Sequence, residues 1–383
     1  MTSIVHLITD LDTGGSETAL VNLISRLDAV RFTNTVISLT DRGTRGSALI
    51  QLGVPVLELH MKPARPSPLA VWRLGRVLRR ARPDILQTWL FHADLVGLAV
   101  GRAAGIETIC WNIRCAELRR ADHPASLFLL LRLLAKLSAL PASVVVNSEA
   151  GRSAHEVLGY HPRRWELIPN GFDLDMFAPS IERRRRWRDA LGIATNTPVV
   201  GLVARYHPMK DHATFLDAAA AVASSRPDVH FVMAGRGVDA ANVALVQGVS
   251  QRGLASRTSL CGEVVDTPSL FAGLDVAVSA SYSEAFPNVI GEAMACEVPC
   301  VVTDAGDSAR IVGGTGVVVP PRNPAAMGAA ILDLLALDPV RRQAIGRDAR
   351  ARIAAEYSID RMTRSYEALY DDLHARGDDS RAG

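Results

Sequence analysis

Short apolar runs recur along the chain, and amphipathic segments separate them. The runs are rich in Val and Ile and too short for helices, so they predict buried strands, whereas apolar residues at helical spacing predict helices between them. Strands that alternate with helices are typical of a parallel sheet covered by helices on both faces. The predicted strands are Ile4–Thr9, Asn34–Leu39, Pro55–Leu59, Asp84–Thr88, Thr108–Asn112, Ser143–Asn147, Pro198–Ala204, Val229–Ala234, Thr258–Cys261, Asp275–Ala280, Cys300–Thr303 and Gly316–Val319.

The alternation breaks once, near the middle of the chain. A turn-rich passage follows Ile168, and an arginine-rich run, Arg183–Arg188, precedes the next predicted strand. A chain of 383 residues is also too long for one ordinary core. We therefore predict an α/β fold of two Rossmann-like, doubly wound parallel-sheet domains that face each other across a cleft. The predicted domains are 1–172 and 173–355, followed by a C-terminal segment, 356–383.

The C-terminal segment has the spacing of one more helix, from Ser358 to His374. Its residues Tyr366, Leu369 and Tyr370 fall on one side of that helix. We expect the helix to pack back on the first domain, with a short tail after it.

Charge excludes one class of partner. The chain has 42 basic and 40 acidic side chains, a formal charge of +2, which gives no global field for nucleic acid. Basic residues cluster in Arg73–Arg82 and in Arg183–Arg188. Each cluster is either a solvated helix face or a contact with an anionic membrane surface or acceptor.

The chain shows no sign of export. Its five cysteines are odd in number and lie mostly in apolar runs, which suggests neither a disulfide framework nor a zinc site. The N-terminus begins directly with a predicted strand rather than a signal peptide. The longest apolar stretch, Ser126–Leu140, contains Arg132 and Lys136 and is too short to span a bilayer. We expect a cytoplasmic protein, with peripheral contact at the inner face of the cell membrane as a further possibility.

Two carboxylates eight positions apart bracket a loop that turns into a helix. Glu284 follows the predicted strand Asp275–Ala280, and Glu292 lies more than one turn into the helix. Carboxylates accept hydrogen bonds from sugar hydroxyls, and these two can reach different parts of one ligand. The alternative is a pair of solvated glutamates beside a buried helix.

The start of that helix is suited to a phosphate. The backbone N–H groups from Phe286 to Val289, including that of Asn288, are expected to open the helix, where the positive end of its dipole favours a phosphate. Pro287 fits this first turn because its missing N–H is not needed there.

A second loop offers two cations. Arg205 and Lys210 follow the predicted strand Pro198–Ala204, and Asp211 begins the next helix. A guanidinium and an ammonium five residues apart can bind the same pair of phosphates. Fixed cations there stabilise a departing diphosphate more in the transition state than in the ground state. The alternative is two exposed loop charges.

Glycines follow two further strands. Gly14 and Gly15 come after the first strand, and Gly235 comes after Val229–Ala234. Glycine lets the backbone approach a ligand closely, although such turns are also often structural. The spacing is not G-x-G-x-x-G, so a dinucleotide site is not supported.

We predict no metal and no other cofactor. The nearest candidates for a paired acidic site, Asp10 and Asp12, precede the Gly14–Gly15 turn and are expected to serve its geometry. If Arg205 and Lys210 neutralise a diphosphate, a divalent ion becomes unnecessary.

Together these motifs resemble the family 4 retaining glycosyltransferases, which have the GT-B fold. The resemblance covers nearly the whole chain and is most specific in the second half. Its motifs are Gly14–Glu17, Ile168–Gly171, Arg205 with Lys210, Gly235–Gly237 and Glu284–Glu292.

The resemblance implies a sugar transferred from a nucleotide donor with retained configuration. It also implies a front-face route, in which the leaving phosphate accepts the proton of the acceptor. The implied contacts are the transferred sugar for Glu284, the ribose for Glu292, and the diphosphate for Arg205, Lys210, Gly15 and the amides of residues 286–289.

Two residues of the first half are candidates for the sugar or the acceptor. His92 matches a loop histidine of the family, although a histidine at the start of a helix is often structural. Arg114 stands where the family often has a histidine; it either binds an anionic acceptor or phosphate or is an ordinary loop charge. Glu297 and the segment Asp307–Arg310 also depart from the family pattern, which leaves the donor sugar open.

The leading hypothesis is therefore a hexosyltransferase in the synthesis of a cell-surface polysaccharide, lipopolysaccharide or glycolipid. Its partners would be a nucleotide sugar, a glycan or lipid-linked acceptor and, through the basic helices, an anionic membrane. A nucleotide-sugar epimerase of the same architecture and a non-catalytic nucleotide-binding relative remain alternatives. Turnover of the donor alone into its epimer would identify an epimerase. A non-catalytic relative would be free to lose its charged site residues, but this chain has Glu284, Glu292, Arg205 and Lys210.

Overall fold

The computed structural model describes residues 1–12, 14–61, 67–116 and 124–382, with side chains as far as Gly377. It contains two compact units: Met1–Gly171 together with Ile359–Gly383, and Phe172–Ser358. The chain therefore leaves the N-terminal unit after Gly171 and returns to it in its last helix.

The N-terminal unit is built on a seven-stranded parallel sheet. Its central strands are mostly apolar and almost entirely buried, as expected for a sheet covered by helices on both faces. The strands are β1 Thr2–Ile8, β2 Phe32–Ser38, β3 Val56–Glu58, β4 Ile85–Trp89, β5 Ile109–Ile113, β6 Ser143–Val146 and β7 Trp165–Leu167, in the order β3-β2-β1-β4-β5-β6-β7.

Helices connect these strands and cover the sheet. On one face, Leu74, Leu98 and Leu134 pack against sheet residues that include Leu86 and Trp111. The helices are α1 Gly15–Ile24, α2 Gly43–Gln51, α3 Pro68–Ala81, α4 Phe91–Ala103, α5 Ala125–Leu137 and α6 Glu149–Val157.

The C-terminal unit repeats the plan with six parallel strands. They are β8 Val199–Val203, β9 His230–Ala234, β10 Thr258–Leu260, β11 Val276–Ser279, β12 Cys300–Thr303 and β13 Val317–Val319, in the order β10-β9-β8-β11-β12-β13. The helices are α7 Ile181–Ala190, α8 His212–Ser225, α9 Val243–Gln251, α10 Thr267–Gly273, α11 Asn288–Ala295, α12 Ser308–Val312, α13 Pro324–Ala336 and α14 Pro339–Glu356.

The last helix, α15 Ile359–Ala382, belongs to the N-terminal unit. Tyr366 and Tyr370 are fully buried there, in one core with Ile4, Trp89 and Leu20. The apolar side of α15 thus completes the face of the N-terminal sheet opposite α3, α4 and α5.

The predicted fold class is confirmed, and each predicted strand overlaps a strand of the structure. The prediction missed β7, because Trp165–Leu167 is only three residues long, includes Glu166 and lies at the sheet edge beside β6. The strand order adds what the pattern could not supply. In each sheet the order reverses between two adjacent central strands, β1 with β4 and β8 with β11, which is where doubly wound sheets bind ligands.

Candidate functional site

The loops that carry Lys210 and Glu284 follow the two central strands of the C-terminal unit, β8 and β11. The Tyr282 N–H donates to the Met209 carbonyl oxygen (3.0 Å), which joins the two loops through their backbones. Residues Pro208–Lys210 form a 3₁₀ turn, and Asp211 caps α8 by accepting from the Thr214 N–H (3.3 Å). Lys210 is therefore held between a tight turn and a helix start.

Lys210 and Glu284 form an ion pair at this edge of the sheet. Their side chains are 18% and 10% exposed, so the pair is largely shielded but open to one side. The same Glu284 oxygen, Oε1, accepts from the Ser281 hydroxyl (2.7 Å). The structure thus brings together two predicted site residues that are 74 positions apart in sequence.

The loop around Glu284 is fixed from the β12 side. The Asp307 N–H donates to the Ala285 carbonyl oxygen (3.1 Å), and Thr303 donates to the Ser281 carbonyl oxygen. At Gly306, where φ is +56°, a Cβ atom would overlap the Glu284 carbonyl oxygen. The segment Asp307–Arg310, which departs from the family pattern, therefore still supports the loop with its first residue.

The four residues after Ala285 divide their roles between core and helix start. Phe286 is buried against Phe172 and Tyr357, so only its backbone is available to a ligand. Pro287 caps α11, and Asn288 and Val289 are its first two residues. The first residues of a helix lie at the positive end of its dipole, which favours an anion. The assignment of this helix start to a phosphate stays a prediction.

Glu292 is the fifth residue of α11 and is half-buried. Burial raises the pKa of its carboxyl group from 4.5 to about 7. A buried carboxylate costs free energy unless it accepts hydrogen bonds, and ligand hydroxyls are suitable donors.

Arg205 and Gly235 follow the neighbouring strands β8 and β9. The Arg205 side chain is exposed and forms no ion pair within the described chain, so it is not brought to Glu284 as Lys210 is. Gly235 has φ +141°, and a Cβ atom there would overlap the Ala204 carbonyl oxygen. The close approach of these strand ends fixes the backbone from which Arg205 projects.

In the N-terminal unit, Gly14 caps α1 and Gly15 is its first residue. The side chain of Glu17 folds back against Gly14, where a Cβ atom would overlap its Oε2 atom. Glu17 is 6% exposed, and burial raises the pKa of its carboxyl group to about 7, with Asp10 adding to the rise and Arg114 opposing it. The sequence prediction gave Glu17 no role, although an acid three residues after a helix cap is a known signal.

The pair Asp10 and Asp12 matches the expected turn geometry. The Asp12 N–H donates to Asp10 Oδ1 (3.2 Å). A separate group, Asp41, Glu58 and His60, has side-chain atoms within 4.8 Å of one another after β2 and β3, but its members are largely exposed. The prediction that no metal takes part stays a prediction.

His92 is exposed and is the second residue of α4, directly after β4. The preceding Leu90 has φ +73° and ψ 156°, a conformation that costs a side-chain-bearing residue of order 1–3 kcal/mol and is common at functional sites. The Thr88 hydroxyl donates to Asp94 Oδ1 (2.5 Å) across this turn. β4 and β1 are the adjacent central strands, so His92 and the Gly14 turn lie at the same strand reversal.

Arg114, after β5, is held by neutral partners. Its guanidinium lies 4.9 Å from the centre of the Trp89 ring and donates to Asn170 Oδ1 and to the Tyr366 hydroxyl (2.9 Å). These contacts tie the end of β5 to α15. Arg114 is thus a fixed, half-buried cation rather than a mobile loop charge.

Two family models match the chain. The model described as "Glycosyltransferase Family 4" matches residues 13–176, and the one described as "Glycosyl transferases group 1" matches residues 197–337. Each half of the chain is therefore matched by a glycosyltransferase model, in the order of the two units.

Similar proteins point the same way. EpsF of Bacillus subtilis (strain 168), assigned provisionally to the glycosyltransferases, is 26% identical over 82% of this chain and 82% of its own length. A GDP-mannose-dependent monoacylated alpha-(1-6)-phosphatidylinositol monomannoside mannosyltransferase of Corynebacterium glutamicum is 26% identical over 78% of each chain. The solved structure of Anabaena HepE in complex with UDP superposes with a TM-score of 0.84 at 23% identity, covering 97% of this chain and all of that one.

Among the described helices, none is long and apolar enough to cross a membrane. With both halves matched by glycosyltransferase models and the fold shared with the HepE structure, the chain is a glycosyltransferase of the family 4 kind, with the GT-B fold.

Proposed function

We propose that this enzyme transfers a hexose from a nucleotide sugar, with retention of configuration, to a glycan or lipid-linked acceptor in the synthesis of a cell-surface polysaccharide, lipopolysaccharide or glycolipid. The observation that carries the proposal is the Lys210–Glu284 pair, which stands at the strand reversal of the C-terminal unit beside the start of α11. A cation, a carboxylate and the first amides of a helix thus lie on one edge, which supports a donor site there.

Each residue has one part in the proposed reaction. The bond between the anomeric carbon and the diphosphate breaks, and the charge that grows on the leaving oxygen is stabilised by Lys210, Arg205 and the amides at the start of α11. Glu284 binds hydroxyls of the transferred sugar through its second oxygen, because Oε1 already accepts from Lys210 and Ser281. Glu292 accepts from the ribose hydroxyls.

The acceptor hydroxyl attacks the same face of the sugar from which the diphosphate departs. Its proton passes to the leaving phosphate oxygen, so no protein base is required. In the N-terminal unit, we assign His92 to the sugar or acceptor and the amides of Gly14 and Gly15 to an anionic group. Trp89 and Tyr366 hold Arg114 in place. We assign this fixed cation to the acceptor.

The names of similar proteins support the donor and acceptor classes. HepE has been solved with UDP and with UDP-glucose, and the Corynebacterium relative acts on a phosphatidylinositol mannoside. We infer a nucleotide-sugar donor here, an acceptor that is glycan or lipid-linked, and no metal or other cofactor. We also propose a cytoplasmic location with docking on the membrane, where a lipid-linked acceptor is reached.

A panel of nucleotide sugars tests the proposal. The donor should raise the unfolding temperature in proportion to its occupancy and should be consumed in the presence of glycan or lipid-linked acceptors. The product should keep the anomeric configuration of the donor by proton NMR. An inverted product would reject retention, and conversion of the donor alone into an epimer would favour the epimerase alternative.

A further inference from the structure

Helices α3, α4 and α5 form one layer on the N-terminal sheet, since α4 contacts both of the others. The outward faces of α3 and α5 each carry two exposed large apolar side chains. On α3, Leu69 and Trp72 are 55% and 53% exposed; on α5, Leu129 and Leu133 are 72% and 43% exposed. Large apolar side chains at i and i+3 or i+4 share one face of a helix, so each pair forms a stripe rather than scattered exposure.

Every exposed charged side chain on these three helices is an arginine or a lysine. They are Arg73, Arg76, Arg79 and Arg80 on α3, Arg102 on α4, and Arg132 and Lys136 on α5. The one acid in the three helices, Asp94, is 1% exposed. In a chain with 42 basic and 40 acidic residues, a layer without an exposed carboxylate is a local concentration of positive charge.

We propose that the outer face of α3, α4 and α5 docks on an anionic lipid bilayer. Apolar side chains between basic ones are what an interfacial helix requires, because the apolar groups enter the acyl boundary while the cations meet the head groups. A nucleic acid or an acidic protein would pair with the cations but leave Leu129 and Trp72 without an apolar partner. This docking rests on the proposed function, in which the acceptor is lipid-linked.

The apolar stripes differ from exposed apolar residues that stand alone. Val265 and Ile181 are 97% and 87% exposed, but they stand singly, as is normal on a protein surface. Trp72 additionally carries Arg76 5.6 Å from its ring centre, so an aromatic side chain and a cation share one position on the face. Such a pair is suited to the head-group region, because the ring is apolar and the guanidinium stays hydrated.

The proposed surface is tested by co-sedimentation of the full chain in low salt. The vesicles are phosphatidylcholine, with and without phosphatidylglycerol. The wild type should bind only the anionic vesicles, and salt should weaken binding. Leu129→Ser with Leu133→Ser should weaken binding about tenfold or more, because the buried apolar area is lost. Arg132→Gln with Lys136→Gln should weaken it about fivefold for each cation removed.

Matched controls lie on the C-terminal unit. Val243→Ser with Val246→Ser removes two exposed valines of α9, and Arg341→Gln with Arg347→Gln removes two exposed arginines of α14. These variants should bind vesicles as the wild type does. Absence of wild-type binding to anionic vesicles, equal loss in the control pairs, or binding of RNA without any binding of vesicles would each overturn the proposal. Stabilisation by nucleotide sugars is measured separately, so a failure of the donor assignment is distinguishable from a failure of the surface.

Discussion

At the scale of single residues, the charged residues of the candidate site differ in how their charges are compensated. Lys210 and Glu284 neutralise each other, while Glu292 forms no ion pair with any described residue and the Arg205 side chain is exposed. A diphosphate would attract Lys210, and sugar or ribose hydroxyls would satisfy the two carboxylates. In the proposed reaction, the ligand would therefore supply hydrogen bonds to these charged groups.

The buried carboxyl of Glu292 should make stability depend on pH. Its pKa is raised from 4.5 to about 7 in the folded protein, so the folded state binds the proton more tightly than the unfolded state. The stabilisation is complete below 4.5 and is lost as the pH rises through about 7. Relative to Glu292→Gln, the free energy of unfolding of the wild type should fall by up to about 3 kcal/mol over this range.

Urea unfolding of both proteins at several pH values measures this difference. Glu263→Gln is a suitable control, because that glutamate is exposed at the end of β10. A difference between wild type and Glu292→Gln that stays constant with pH would contradict the assigned pKa.

At the scale of elements, the sequence predicted the strands well and the pairing of their loops less well. A run such as Val199–Val203 is buried on both sides, and its composition alone identifies it as a strand. The contact of Lys210 with Glu284 depends on β8 lying beside β11, which no local pattern encodes. Arg114 shows the same limit, since its partners Asn170 and Tyr366 come from distant segments.

The close approach of β8 and β9 should make Gly235 intolerant of a side chain. Gly235→Ala combines a positive φ with a clash against the Ala204 carbonyl oxygen, whereas Gly192→Ala has φ +67° but nothing within 4 Å. Gly192→Ala should cost roughly 1 kcal/mol, and Gly235→Ala should cost more, about 1–3 kcal/mol for the backbone and additional free energy for the clash. Denaturant unfolding compares them; equal losses would show that the strand ends can move apart.

At the scale of the whole molecule, the end of the chain returns to the unit in which the chain begins. The helix α15 comes last in sequence but supplies Tyr366, Leu369, Tyr370 and Leu373 to the core of the N-terminal unit. Periodicity predicted the helix and its apolar side. The hydroxyl of Tyr370, which donates to Gln87 inside β4, could not be foreseen, because both partners are polar groups buried only by the fold.

Removal of α15 should therefore affect one unit selectively. In a chain that ends at Ser358, the amides of β1 and β4 should lose hydrogen-exchange protection, since α15 packs on both strands. The amides of β8 and β11 should keep theirs, because that core contains no residue of α15. Equal loss in both sheets, or no loss in β1 and β4, would contradict the division of the chain into these units.

The central assignment is that Lys210 stabilises the charge of a departing diphosphate. Single-turnover sugar transfer by Lys210→Ala, at saturating donor identified from the panel, measures it most directly, with Arg347→Ala as the control. The rate of Lys210→Ala should fall roughly 10²-fold or more, while Arg347→Ala keeps the wild-type rate. A rate close to that of the wild type in Lys210→Ala, with donor bound, would contradict the assignment.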